Sequence, residues 1–365
     1  MRYYRIEIFT KTTTVIESSN AGGTEKTTET QTQETKKEIY SSHQDNGQMN
    51  PGALNVVFNL AISFYHNTAW GASYVQIQGL PLKLLSQAYD FKGKHIRIYG
   101  GMTKGYMVEK DNYGLLLNGI IASPHGNWSG TNQTLSFYFL PEVFDNKREI
   151  TLYREKDQEF SKSIELALKA SYPEYKIVVD VSAKGDFKAL LKHGNVAKNL
   201  EDFARAVNEQ SEVYKTNPIR IYERNNTIFV SDKILGQTTQ LKTIDFIGQP
   251  VWTDNGNISS VLVMRPDIGV NDVIVFPKET SLYGKISPTN DGANYYFNRG
   301  TDAGIRNNPI FQGRYVVISV QHLADYKSAS PNDWATVITV SPISSEYVVD
   351  IKRQDGGVLE MGGVY

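Results

Sequence analysis

Apolar and polar side chains alternate one by one along much of this chain, the period of a half-buried strand. Tyr4, Ile6 and Ile8 alternate with Arg5 and Glu7; Asn55 to Phe64 (NVVFNLAISF) and Tyr74 to Gln78 do the same. Further strands are predicted at His95–Tyr99, Asn118–Ile121 and Thr134–Leu140. Leu80 to Ala88 (LPLKLLSQA) is opened by a proline and apolar at helical spacing, so it predicts a short helix. Six or so short strands and one small helix make a barrel or a sandwich. Between Thr12 and Asn50 the sequence turns polar and Thr-rich, with no large apolar cluster before Ile39-Tyr40. It buries too little to offset its ordering entropy, which predicts a long mobile hairpin tip or loop; the rival reading is an extended arm ordered against a neighbouring subunit.

The period changes between about 144 and 243. Phe160, Ile164 and Leu168 form a helical stripe ended by Tyr172-Pro173. Leu200, Phe203 and Val207 mark a second helix, with Asn199 as N-cap and Glu201-Asp202 where carboxylates suit the helix dipole. Ile177–Val179 reads as a strand, and Ile219–Tyr222 with Ile228–Val230 as a hairpin about Asn225-Asn226, giving a separate α+β unit. From 244 the chain is β again. A short strand from Ile244 breaks at Gly248 and Pro250, turns at Asn255-Gly256 and returns as Val261–Met264 before Pro266. Phe311 to Ile343 holds two more strands, one opened by Gly313 and ending near His322 and Asp325, the other following Trp334. The order of the first region (His95–Tyr99, Gly119–Ala122, Thr134–Leu140) is echoed in the last (Val273–Phe276, Gly313–Val320, Ala335–Val340), which leaves duplication and chance recurrence both open.

Composition narrows the function. The 365 residues predict two or three domains, and 22 Tyr lean the chain toward β structure and half-wet contacts. A net charge of −1 with dispersed Lys and Arg gives no field for holding nucleic acid, so no nucleic-acid specificity is expected. Without cysteine, disulfides, thiolate metal sites and cysteine nucleophiles are excluded. The first residues carry no apolar signal core and no apolar run of membrane-spanning length occurs, so synthesis in the cytoplasm and no membrane span are expected. There is no phosphate-binding G-x-x-x-x-G-K-[ST], no nucleophile elbow and no H-E-x-x-H. His322 and Asp325, three apart after a strand, are the best acid–base pair on offer, and a loop His is more commonly a hydrogen-bonded turn residue. No cofactor, metal or catalytic residue is assigned.

Two stretches carry a resemblance. The first runs GALNVVFNLAISF, then VQIQGLPLKLLSQAYDFKGKHIRIYGG; the second runs FIGQPVWTDNG, VLVMRPDIGVNDVIVF and GRYVVISVQHLADY with Trp334 downstream. In this order, over about 300 residues, the chain resembles the hub proteins of bacteriophage tails, which join the tail tube to its spike. Leu323-Ala324 departs from the family's usual loop glycine after the His. The resemblance implies two tail-tube-like β-barrel domains, 1–143 and 244–343, flanking a smaller α+β domain at 144–243, with a tail at 344–365. Gly248, Pro250, Pro266, Gly313, His322, Asp325 and Trp334 become its fold-pattern residues. It also implies a homotrimer in the virion tail, adapting a sixfold tube to a threefold spike. Tail spike, tail tube or distal tail protein, and tape-measure protein would be its partners. Val358, Leu359, Val364 and Tyr365 are spaced apolar anchors on the Gly-rich tail, suited to ordering on a partner. Two other classes compete: a β-rich carbohydrate-binding adhesin or receptor-binding tail component, for which Trp70, Trp128, Trp252 and Trp334 could serve, and a hub with peptidoglycan-hydrolase activity. The hydrolase reading is expected to fail because little chain follows the last strand.

Overall fold

A computed structural model describes residues 1–19, 26–65, 73–105, 108, 110–141, 148–182, 188, 193–213, 219–224, 226–253, 257–277, 313–343, 351–352 and 358–359. The first region contributes β1 (Arg2–Ser19), β2 (Lys26–Ser41), β3 (Asn55–Ser63), β4 (Tyr74–Gln78), β5 (His95–Met102), β6 (Asn112–Ser129) and β7 (Asn132–Pro141). Helix α1 (Leu82–Ser86) and a 3-10 turn over Ala88–Phe91 lie between β4 and β5, where the Pro-led apolar spacing placed a helix. The α+β unit holds β8 (Ile150–Arg154), α2 (Phe160–Ser171), β9 (Lys176–Asp180), β10 (His193–Ala197), α3 (Leu200–Val213), β11 (Arg220–Arg224) and β12 (Thr227–Ser231). The last region adds β13 (Thr238–Gln240), β14 (Val251–Trp252), β15 (Ile258–Val263), β16 (Val273–Phe276), β17 (Gly313–Asp325) and β18 (Trp334–Pro342). Two short pieces, β19 (Ile351–Lys352) and β20 (Val358–Leu359), pair with each other.

The two β regions were expected as separate barrels, and here the structure corrects the sequence reading. They form one sheet of 13 strands, ordered β14-β15-β18-β17-β3-β4-β7-β6-β5-β1-β2, with β13 and β16 attached beside β17. No closed barrel is present among the described residues: β1 and β3 lie across a shared core, Tyr4, Ile6 and Ile8 against Val56, Phe58 and Leu60, without pairing. The physical reason is an edge. β3 would otherwise present a row of unpaired backbone groups, and the second half of β17 fills it antiparallel, from Ser319↔Ser63 to Asp325↔Val57. Three other expectations change. The Thr-rich stretch is strand over most of its length, β1 and β2 pairing from Arg5↔Ser41 out to Ser19↔Lys26. Its part beyond Phe9 runs past the end of β5, so it is an arm of two strands. The apolar start at Ile244 is a 3-10 turn, Thr243–Asp245, with one bridge from Phe246 to Leu262. β6 is also far longer than the short strand expected at Asn118–Ile121.

Within this sheet one strand order occurs twice. A hairpin (β3–β4) is followed by a three-strand meander (β5–β6–β7) whose last strand returns beside β4. A second hairpin (β14–β15) is followed by a second meander (β16–β17–β18), whose last strand returns beside β15. Each central strand carries a register shift toward its last partner, Ile121/Ser123 in β6 and Val317/Ser319 in β17.

The helices follow their stripes. Phe160, Ile164 and Leu168 are fully buried in the core of the α+β unit, with Leu200, Phe203 and Val207 from α3. Asn199 Oδ1 accepts the Asp202 amide at 2.8 Å, the N-cap bond that the sequence implied. The last region has its own core around Leu262, Ile274, Tyr315 and Ile338.

Trp334 joins the two β regions. Its ring is 2 % exposed in the first region's core, and its Nε1–H donates to the Gly101 carbonyl at 2.9 Å. Trp334→Phe keeps most of the apolar contact and strands that buried carbonyl, a loss of about 1–3 kcal/mol. Equilibrium urea denaturation should show a lower midpoint with an unchanged slope.

Candidate assembly site

Six of the seven predicted fold-pattern residues separate into two groups, and His322 is buried apart from both. Pro266, Asp325 and Trp334 come together where the two β regions meet. Pro266 packs over Gly114, whose Cβ position lies 3.4 Å from the proline ring. The Arg2 guanidinium donates to the carbonyls of Asp325 at 2.9 Å, Tyr326 at 3.2 Å and Ser330 at 2.7 Å, and also to that of Ser328. It lies 5.6 Å from the centre of the Trp334 ring. Burial lowers its pKa while Asp333 and Asp325 oppose that shift. Gly248, Pro250 and Gly313 sit elsewhere, shaping the approach to β14 and the start of β17. Gly248 has φ +87 and Gly313 φ +112, both backbone conformations that favour glycine. Val358 lies in β20, and so does Leu359; Val364 and Tyr365 lie outside the described residues.

Sequence reasoning missed Arg2 and the Gly100-Gly101 pair. A Cβ at Gly101 would lie 2.2 Å from the Asn112 carbonyl, and one at Gly100 would lie 2.6 Å from Leu116 and 2.9 Å from the Met264 sulfur. The Tyr-Gly-Gly in the sequence was the available signal: only bare backbone lets β5, β6 and the Met264 segment approach this closely. A second junction was also missed. Asp272 is fully buried; its Oδ1 accepts from Arg224 at 2.7 Å and from the Gln237 amide at 2.8 Å, and its Oδ2 from the Gly269 amide at 2.8 Å. Beside it Asn271 adopts φ 68 and donates to the Tyr222 hydroxyl at 3.1 Å. This tie anchors the α+β unit to the last β region.

His322 and Asp325 do not form an acid–base pair. His322 is 2 % exposed, and its Nδ1 shares a 2.9 Å hydrogen bond with Thr336 Oγ1, which also accepts the Arg265 amide at 2.8 Å. Burial pushes its pKa down to about 4, so the ring is neutral at physiological pH. One open cleft of about 520 Å³ lies at the base of the arm, lined by Tyr3, His43, Asp45, Lys104, Asp111 and Tyr113 among others. His43 Nδ1 contacts Ser42 Oγ at 2.8 Å, but Ser42 is fully buried and its hydroxyl also accepts the Tyr4 amide, so it is not presented as a nucleophile. No group of three or more potential metal ligands occurs among the described residues, and no helix among them is long and apolar enough to cross a membrane. Of the tryptophans suggested for sugar stacking, Trp334 is core and Trp128 is 63 % exposed at the β6–β7 tip; Trp70 lies outside the described residues.

No family model matches this chain, and no curated protein matches it in sequence. Solved structures do. The Escherichia coli c3393 protein is a type VI secretion system component with structural similarity to the T4 bacteriophage tail proteins gp27 and gp5. It aligns over 81% of this chain and 75% of its own, with 10% identity and a TM-score of 0.45. A tail protein from Neisseria meningitidis MC58 aligns over 79% and 95%, with 9% identity and a TM-score of 0.44. The 43 kDa tail protein of prophage MuSo2 from Shewanella oneidensis aligns over 83% and 93%, with 8% identity and a TM-score of 0.44. The chain is structurally similar to phage tail proteins and to a component of the type VI secretion system.

Two variants test this site. The unfolded pKa of His322 is near 6.5 and the folded one about 4, so the unfolded chain takes up the proton first. The stability its neutral form contributes is complete above 6.5 and lost as pH falls toward 4, roughly 3 kcal/mol in all. Melting curves from pH 7 to 4 should fall more steeply for the natural protein than for His322→Gln. Asp272→Ala strands the Gln237 and Gly269 amides and takes one acceptor from the part-exposed Arg224, and should cost about 1–3 kcal/mol, read by chemical denaturation.

Proposed function

We propose that this protein is a structural hub of a phage-type tail: a homotrimer at the distal end of the tube that adapts sixfold to threefold symmetry. The observation that carries the reading is the strand order that occurs twice in one chain, hairpin then meander, with the two copies joined edge to edge through β3 and β17. Each chain then supplies two roughly equivalent β units. Three chains around one axis present six such units to a sixfold ring and three identical surfaces to a threefold spike. The sequence resemblance to tail hubs supports the same reading independently. The repeated units are the tail-tube-like domains of that reading and the α+β unit is set between them.

The protein acts by geometry and not by catalysis in this reading. The buried, neutral His322 supports that, because a general base must reach its proton. Its place is the virion tail, in contact with spike, tube or distal tail protein, and tape-measure protein. The tail from 344 onward, with Val358, Leu359, Val364 and Tyr365, is proposed as a partner-ordered strip.

Mass photometry tests the assembly. The expected species is three times the 41.0 kDa chain, alone or once the spike protein is added. A monomer under both conditions overturns the hub reading. Cell-wall hydrolysis abolished by His322→Ala would overturn the non-catalytic part.

A further inference from the structure

The arm of β1 and β2 has two bare edges. Pairing of β1 with β5 ends at Phe9↔His95, while its pairing with β2 runs on without a register shift from Thr10↔Thr35 to Ser19↔Lys26. β2 is the last strand of the large sheet. Among the described residues, then, no strand pairs with the outer side of β1 from Thr12 to Ser19, or with the outer side of β2 from Lys26 to Gln33. Two strands alone are marginally stable in water. This pair has no apolar run to offset that: Thr, Ser and Gln fill most of these positions, and Val15 and Ile16 are its only aliphatic residues. Each strand is satisfied on one side only, and a further strand is what completes it.

The root of the arm is built differently from its length. Between Ile8↔Glu38 and Thr10↔Thr35, Phe9 stands opposite two residues, Lys36 and Lys37, and Lys36 adopts φ 52. A bulge and lysines on a terminal strand are devices that keep an edge from recruiting another chain. Beyond Thr35 neither device recurs: the register is even and no proline occurs between Thr12 and Gln33. Opposite charges stand level on the two strands, Lys11 with Glu34 near the root and Glu17 two positions from Lys26 toward the tip. Only Glu29 stands opposite an apolar residue, Ile16.

We propose that the arm pairs with the arm of a second copy of this chain, the β1 edge of one copy lying antiparallel to the β2 edge of the next. The two bare edges select that occupant. They have the same length, lie on opposite sides of one ribbon and carry opposite charges at matching levels. One head-to-tail contact therefore covers both, and sets Lys11 of one copy beside Glu34 of the next. A foreign strand would cover one edge and leave the other bare. Neighbouring arms that point the same way are antiparallel at every seam, because β1 runs outward and β2 runs back. The number of copies rests on the trimer reading, and the pairing itself does not: three arms close a ring of six strands in which no edge remains.

Cysteine cross-linking tests this, since the chain has no cysteine of its own. Full-length Thr13→Cys, on β1, is co-expressed with full-length Thr28→Cys, Thr30→Cys or Thr32→Cys, on β2, and each mixture is oxidised. Directly opposed residues of antiparallel strands lie within disulfide reach. A covalent dimer should form in at least one of the three mixtures and from none of the four variants alone. In a second kind of variant, residues 13–32 are replaced by Asn-Gly, closing Thr12 on Gln33 as a two-residue turn. This shortened chain should melt cooperatively, with the oligomer reduced at least tenfold in mass photometry. No cross-link in any mixture, or an oligomer that survives loss of the arm, overturns the inference and leaves the hub reading standing. So does a dimer from a single variant alone, which sets like edge against like edge. Cross-links within an assembly of some other number of copies keep the pairing and sink the trimer. A natural protein that is a monomer throughout overturns both.

Discussion

The pairing of β17 with β3 is the constraint on which the rest of the molecule depends. A strand edge inside a folded protein must find hydrogen-bond partners or be covered. Here one long strand serves three neighbours: β16 beside its first half, β3 beside its second, and β18 along its other side. The shift at Val317/Ser319 lies where the changeover occurs. Arg2 and Trp334 then fasten the far end of the seam. One guanidinium collects the carbonyls of the loop after β17, and one indole N–H satisfies Gly101 in the opposite region. These polar groups are part-buried or buried, so leaving any of them unpaired would cost more than the bond itself contributes.

This seam explains why two β regions behave as a single body while keeping their own cores. Met264, Ala324 and Trp334 come from the last region in sequence and pack in the core of the first. The α+β unit is tied differently, by the buried Asp272 carboxylate and the Arg224 guanidinium. Strand pairing resists sliding along a whole edge, whereas the α+β unit is held by the Asp272 tie, the Asn271–Tyr222 hydrogen bond and the packing of Tyr222 and Phe229 in the last region's core.

The distribution of charge follows the same division. Ion pairs concentrate on β1, β2 and β5, where Glu7 is nearly buried beneath Arg5 and Lys37. The strands that carry the seam and its flanks are free of charge apart from the ends of β17.

Much of the local structure was legible in the chain. The stripe Phe160–Ile164–Leu168, the Asn199 cap, the hairpin at Ile219–Val230 and the strands beginning at Gly313 and Trp334 follow from periodicity and capping, which depend on neighbours three or four residues away. The Thr-rich arm leaves no apolar period in the chain because its strands are held by backbone pairing. The start at Ile244 is ambiguous because four residues, three of them apolar, do not separate a strand from a 3-10 turn. What the tertiary structure alone decided is how the pieces join: one sheet and not two barrels, Arg2 with Ser330, Trp334 with Gly101, and His322 sealed away from Asp325. These contacts link positions hundreds of residues apart or set the direction of a side chain. A one-dimensional pattern fixes neither, because each is chosen by which exposed edge and which unpaired polar group most needs a partner.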